Sequence, residues 1–245
     1  MTVTRVGTET DADNSAGGSS FSFSHTVPAG ASLLLLAVFA TGDVDVTVTP
    51  TWDGDDFTLI NDSGPEIQGM QRIHVYGFVS PAAKTATIAG TTDGFGYLGV
   101  EAVNYAGGET ASVAAAVNHL SDDVNSTNEI STVHASAGNA GNALIAMGSW
   151  RGGDTGPSTV DNSFNEIYDR ATGGSTTNDT AHTMSELLDA APSAVSITMT
   201  LSDQCTGTFI ELVAATGVPV ITDVNTTEEW NDGDTGLVIT GTGFL

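Results

Sequence analysis

Positive charge is almost missing from this chain. Lys84 is its sole lysine and Arg5, Arg72, Arg151 and Arg170 its only arginines, against 30 Asp and Glu, for a formal net charge of −25. Such a surface repels phosphate backbones and anionic lipid, which argues against nucleic acid as a partner. Self-repulsion also destabilises the compact state and is screened by salt. A saline setting is therefore expected, with urea melts that differ between low and ~0.5 M salt. Cysteine is nearly absent too. Cys205 alone cannot build an internal disulfide framework, and its apolar, strand-like surroundings read as those of a buried thiol. No apolar run reaches the ~18–20 residues of a membrane span, so membrane insertion is not expected. The longest such run covers residues 33–40. The first residues lack the basic and apolar segments of a signal peptide, so export by that route is not expected.

Gly, Ser, Thr, Ala and Asn fill the space left by charge. These residues suit turns and solvated sheet faces better than long helices. Alternation of period two is plain at Phe21 and Phe23, across residues 44–49, at residues 85–89 and at residues 195–201. Residues 33–39 and 143–148 are apolar on both faces and read as central strands. Gly, Asp, Asn and Pro punctuate the chain at strand-length intervals, which predicts an all-β sandwich or jelly roll. Helix signals are confined to residues 111–120 and 185–191, the latter ending before Pro192.

The two halves resemble each other. Residues 31–43 align without gaps on residues 142–154, setting Leu33 against Leu144, Phe39 against Trp150 and Asp43 against Asp154. Residues 100–107 match residues 210–217 in the same way. The spacing predicts two duplicated β-sandwich, jelly-roll-like units packed together. The expected division is an N-terminal arm at 1–19, a first unit at 20–108, a linker at 109–128, a second unit at 129–217 and a C-terminal Ig-like β-hairpin at 218–245.

Two stretches carry a resemblance. The pattern of residues 27–60, with Val27-Pro28-Ala29-Gly30, an apolar strand, Trp52-Asp53-Gly54 and Phe57-Thr58-Leu59-Ile60, is followed by residues 75–82 and 103–107. It resembles β-sandwich repeat modules of phage virion proteins and large bacterial surface proteins. Residues 219–225 and 233–244, ending Gly241-Thr242-Gly243-Phe244, look like the opening of an immunoglobulin-like IPT/TIG domain. The resemblance implies spacer and binding roles.

Chemistry is sparse. His25, His74, His119, His134 and His182 are dispersed with no zinc-ligand spacing. There is no nucleophile elbow, Walker loop or dinucleotide fingerprint. Neighbouring carboxylates such as Asp55 and Asp56 point to opposite faces of a strand, which ill suits an acid–base pair. No catalytic residue and no cofactor is expected. Calcium is the exception kept open, because residues 11–15, residues 231–236 and the turn carrying Asp53, Asp55 and Asp56 crowd oxygen donors together. Trp52, beside those acids, is the candidate sugar contact, with core packing ranked above that use. Trp150 reads as core or interface, and Trp230 would offer a sugar platform if exposed on a loop. The expected function is that of a non-enzymatic virion structural protein of a phage-like particle, exposed as capsid decoration, fibre or tail component. Its expected partners are other virion proteins in a symmetric homo-oligomer or array, with host glycans as a further candidate. The alternative is a cell-surface adhesin or carbohydrate-binding module.

Overall fold

The computed structural model describes residues 1–42, 47–63, 70–125, 129–134, 140–151, 164–172, 180–188, 195–200, 205–216, 220–224 and 239–242. The fold is all-β and antiparallel, with a single short helix among these residues. The first unit holds β1 (Thr4–Val27), β2 (Leu33–Gly42), β3 (Val48–Trp52), β4 (Asp55–Asp56), β5 (Thr58–Asp62), β6 (Met70–Val79) and β7 (Lys84–Ala106). After α1 (Val113–Ala116) come β8 (Val117–Asn125), β9 (Glu129–His134), β10 (Ala143–Arg151), β11 (Asn165–Thr172), β12 (Thr180–Leu187), β13 (Val195–Thr200) and β14 (Cys205–Leu212). The last two strands, β15 (Val220–Val224) and β16 (Ile239–Thr242), pair with each other.

One long ribbon organises the first unit. β1 pairs β7 along nearly its whole length, from Thr4↔Ala106 to Val27↔Lys84. The other side of β7 is shared. Its first half pairs β3, as in Trp52↔Ile88, and its second half pairs β2, as in Leu33↔Tyr105. Ile88 and Trp52 then pack on Leu34, Leu36 and Val38 of β2, so the two halves of the ribbon lie in opposite layers of a sandwich. Register slips on either side of Gly18 mark where the ribbon changes layer, the usual device for a corner.

The second unit repeats this plan. Its sheet runs β11-β12-β10-β14-β8, matching β5-β6-β2-β7-β1 strand for strand, and the β9–β13 pair takes the place of the ribbon's other half. The two sheets face each other. Leu33, Leu35, Ala37 and Phe39 share one core with Ala143, Ile145, Met147 and Ile210. β2 is thus covered on both faces, and residues Leu34 to Phe39 are 0 % exposed. That explains its unbroken apolar run.

Several expectations change in detail. The gapless alignment pairs Leu33 with Leu144, yet Leu33 faces the second unit and Leu144 is not in that shared core. An even shift, which sets Leu33 against Ala143, Leu35 against Ile145 and Ala37 against Met147, brings the facing sides into step. A strand apolar on both faces carries no phase, so the sequence match was free to slip by one. The boundary drawn at residue 19 falls inside β1, and the stretch 109–128 holds α1 and the whole of β8, which pairs β14. The first helix signal shrinks to the four residues of α1, capped by Ser112, whose Oγ accepts from the Ala115 amide at 3.1 Å. The second signal is overturned where it is described: Ser185, Glu186 and Leu187 are strand, paired with Ala146, Ile145 and Leu144.

The units are also laced by backbone. The Val3 amide donates to the Gly141 carbonyl at 2.7 Å, the Ala215 amide to Gly107 at 2.8 Å and the Glu109 amide to Val213 at 2.9 Å. A Cβ at Gly107 would lie 2.2 Å from the Thr2 carbonyl oxygen, so only glycine admits the first residues between the units.

Candidate functional site

The Trp52 hairpin is where the sequence placed its site. Asp53 and Gly54 have φ of 53° and 89°, a two-residue Asp-Gly turn that joins β3 to β4. Turn chemistry therefore accounts for the crowding of acids there. Asp53 is held by an ion pair with Lys84, and the Lys84 ammonium also sits 5.0 Å from the centre of the Trp52 ring. Asp55 and Asp56 are exposed. Among the described residues no three His, Cys, Asp or Glu side chains converge to hold a metal ion. Trp52 is 2 % exposed and lies edge-on to Phe78, with ring centres 5.4 Å apart. A ring so covered is packed in the core, the use ranked above sugar contact. Trp150 is buried as well, while Trp230 and the acids at 231–236 lie outside the described residues.

Beside the hairpin is a cleft of about 270 Å³. Val48 and Pro50 of β3, Phe57 just before β5, Leu59 and Asp62 of β5, and His74 and Tyr76 of β6 line it, with Asp56 beside them. Its acids are partly engaged. Asp62 lies 3.4 Å from Arg72 and 3.5 Å from the His74 Nδ1. The Tyr76 hydroxyl donates to the Val48 carbonyl at 2.7 Å. Burial, helped by the Asp62 carboxylate, pushes that phenol well up, so it stays protonated. Leu59, 51 % exposed, is an unusually bare apolar side chain at the rim. The arrangement suits recognition of a small neutral or cationic group. Sequence reasoning treated His74 as an ordinary strand residue and missed Asp62. Their common face is visible only once β5 pairs β6, as in Asp62↔His74.

The second concentration of polar groups lies between the units, where no motif points to it. The Tyr105 hydroxyl donates to Glu186 at 2.9 Å, and Arg5 reaches the same carboxylate at 3.2 Å. Burial raises the Glu186 pKa, with the Tyr105 hydrogen bond and Arg5 opposing. His182 stacks on Phe39 at 4.6 Å and meets the Tyr168 hydroxyl at 3.1 Å. A Cβ at Gly99 would fall 2.2 Å from the His182 ring, so β7 carries glycine there to admit it. These groups fasten sheet to sheet. They come from five strands spread between residues 5 and 186, so no local spacing announces them.

Among the described residues no helix is long and apolar enough to cross a membrane. Comparison with family models, curated proteins and solved structures finds no match to the chain.

Proposed function

We propose that this chain is a non-enzymatic structural module on the surface of a phage-like virion, serving as capsid decoration, fibre or tail component. The observation that carries the reading is the repeated strand order of two sheets closed face to face on one apolar core. A body built that way is stiff, because β2 is packed on both sides and cannot yield without opening a core. Its acidic surface keeps it soluble at high copy number. The β15–β16 pair fits the opening of an IPT/TIG-like extension, a spacer in this setting. The test is immunogold labelling of purified particles with antibody to this chain. Label on particles supports the role; label confined to cell envelopes overturns it.

One observation favours a second reading, a carbohydrate-binding module. The cleft beside the Trp52 hairpin combines carboxylates at Asp56 and Asp62 with the apolar rim of Leu59 and Pro50. Binding to one sugar class on a glycan array, lost on Asp62→Ala, would support it. No binding to any glycan would dispose of it.

A further inference from the structure

An unpaired strand edge is a template for another strand, and proteins usually guard it with charge, proline or a bulge. The seven- and five-stranded sheets of this chain guard almost every edge. β5 slips register between Leu59 and Asn61 and ends on Asp62. β11 slips between Glu166 and Tyr168 and carries Asp169. β8 bulges beside Leu120 and carries Asp122. β3 has Pro50 on its open stretch, and β4 is only Asp55 and Asp56. The first half of β1 has Gly7 at φ 75°, a slip between Val6 and Thr10, and the charges of Arg5, Glu9 and Asp11.

The second half of β1 has none of these. From Phe21 to Val27 it pairs β7 residue for residue, with no slip. No Asp, Glu, Lys or Arg stands between residues 14 and 27, in a chain with 30 acids. Ser22, Ser24 and Thr26 point outward as small exposed hydroxyls, and Phe23 is only partly buried at the margin of the core. Among the described strands β1 pairs β7 alone, so its other side faces no described strand; toward the strand's end the Thr26 carbonyl accepts from the Asn104 side chain at 3.2 Å.

We infer that Phe21–His25 is a pairing edge for a second copy of this chain, the two strands running antiparallel across a twofold axis so that the sheet continues from one copy into the next. Charge restricts where two copies can meet. At −25, two copies repel wherever acids oppose each other, and this segment lets them meet without opposed carboxylates. In the register that sets Phe23 against its counterpart, each ring covers the other's open edge. The inference rests on the structural-module reading and deepens it, since a symmetric array needs a self-complementary contact.

Sedimentation velocity over a range of protein concentrations tests it, at low and ~0.5 M salt. The parent chain should show a monomer–dimer equilibrium that salt shifts toward dimer. The double variant Ser22→Lys with Ser24→Lys, which sets like charges across the axis, should raise the dimer dissociation constant roughly tenfold or more. Thr58→Lys on the guarded β5 edge should leave it unchanged, and circular dichroism should show all three folded. As a second readout, the double variant Ser22→Cys with Ser24→Cys, which sets a thiol opposite a thiol across the axis in that register, should give a covalent dimer on mild oxidation, whereas the parent, with Cys205 alone, should not. A chain that stays monomeric throughout and does not cross-link overturns the inference, and so does a dimer indifferent to the two lysines. Neither result bears on particle labelling, which judges the proposed role separately.

Discussion

The two faces of β2 are equally buried and differently built. Toward its own unit, Leu34, Leu36, Val38 and Ala40 meet Ile88, Trp52 and Phe57, and the nearby polar group is a histidine, His25, whose Nδ1 lies 2.6 Å from the Thr10 hydroxyl. Toward the second unit, Leu33, Leu35, Ala37 and Phe39 meet Ile145, Met147 and Ile210, and beside His182 the polar groups include an ion pair and a phenol. The inner face is closed by strands that turns and a continuous ribbon hold in place. The face between units joins strands more than 100 positions apart, and two apolar sheets can slide. A slip there would leave the buried Glu186 carboxylate without Arg5 and Tyr105, at a cost of about 3–5 kcal/mol. The charged contact thus sets alignment where chain connection does not.

The largest expected effect comes from removing packing on either face. Leu35→Ala opens the core between the units and Leu36→Ala the core within the first, and each should cost about 2–5 kcal/mol in urea melts. If the molecule folds as one body, both variants shift one transition. Two transitions in Leu35→Ala alone would show the face between units to be separable, and the comparison would sharpen into one of two domains.

A smaller and more discriminating effect is expected from two glycines of β7. Gly99→Ala would drive a Cβ to 2.2 Å from the His182 ring, and Gly90→Ala to 2.3 Å from the Phe21 ring. His182 is 0 % exposed and bracketed by Phe39 and Tyr168, so it has nowhere to go. Phe21, 7 % exposed and on an edge strand, can swing outward. Gly99→Ala should therefore lose about 1–3 kcal/mol and Gly90→Ala less, as read by thermal melts. Equal losses would erase the distinction between a locked face and a yielding one.

These differences also explain what was legible beforehand. The all-β class and the repeat could be read because alternation, punctuation and residues 33–39 against 144–150 are local patterns. The phase of that match could not, because Leu33 and Leu34 are both apolar and both buried. The first half of β1 read as an arm because its slips between Val6 and Thr10 and around Gly18 break the alternation that would reveal a strand. Residues 185–187 read as helix because Glu and Leu favour it locally. Pairing with β10 and capture of Glu186 by Tyr105 and Arg5 override that preference. Trp52 read as a loop aromatic because the acids around it belong to a tight turn, while its ring turns inward. The cleft was invisible because Asp62 and His74 meet only through pairing.

The smallest expected effect, and the one that separates the faces by sign, is on pH dependence. Burial raises the Glu186 carboxyl above its ordinary value. Between that ordinary value and the raised one, the folded chain holds a proton that the unfolded chain has released. Stability contributed there is complete at lower pH and falls as pH rises through the window. His25 behaves oppositely. Burial holds its imidazole below the usual 6.5, with an Asn104 hydrogen bond partly opposing. As pH drops below that value the unfolded chain takes up a proton that the folded chain refuses, so stability falls as pH falls. Glu186→Gln should therefore flatten the alkaline-going decline, and His25→Gln the acid-going one, in urea melts from the carboxylate range to neutrality. Other acids titrate in the same span, so the reading is each variant's profile minus the parent's. If both differences have the same sign, or if Glu186→Gln runs parallel to the parent, the two faces of β2 do not differ electrostatically, and alignment between the units rests on shape alone.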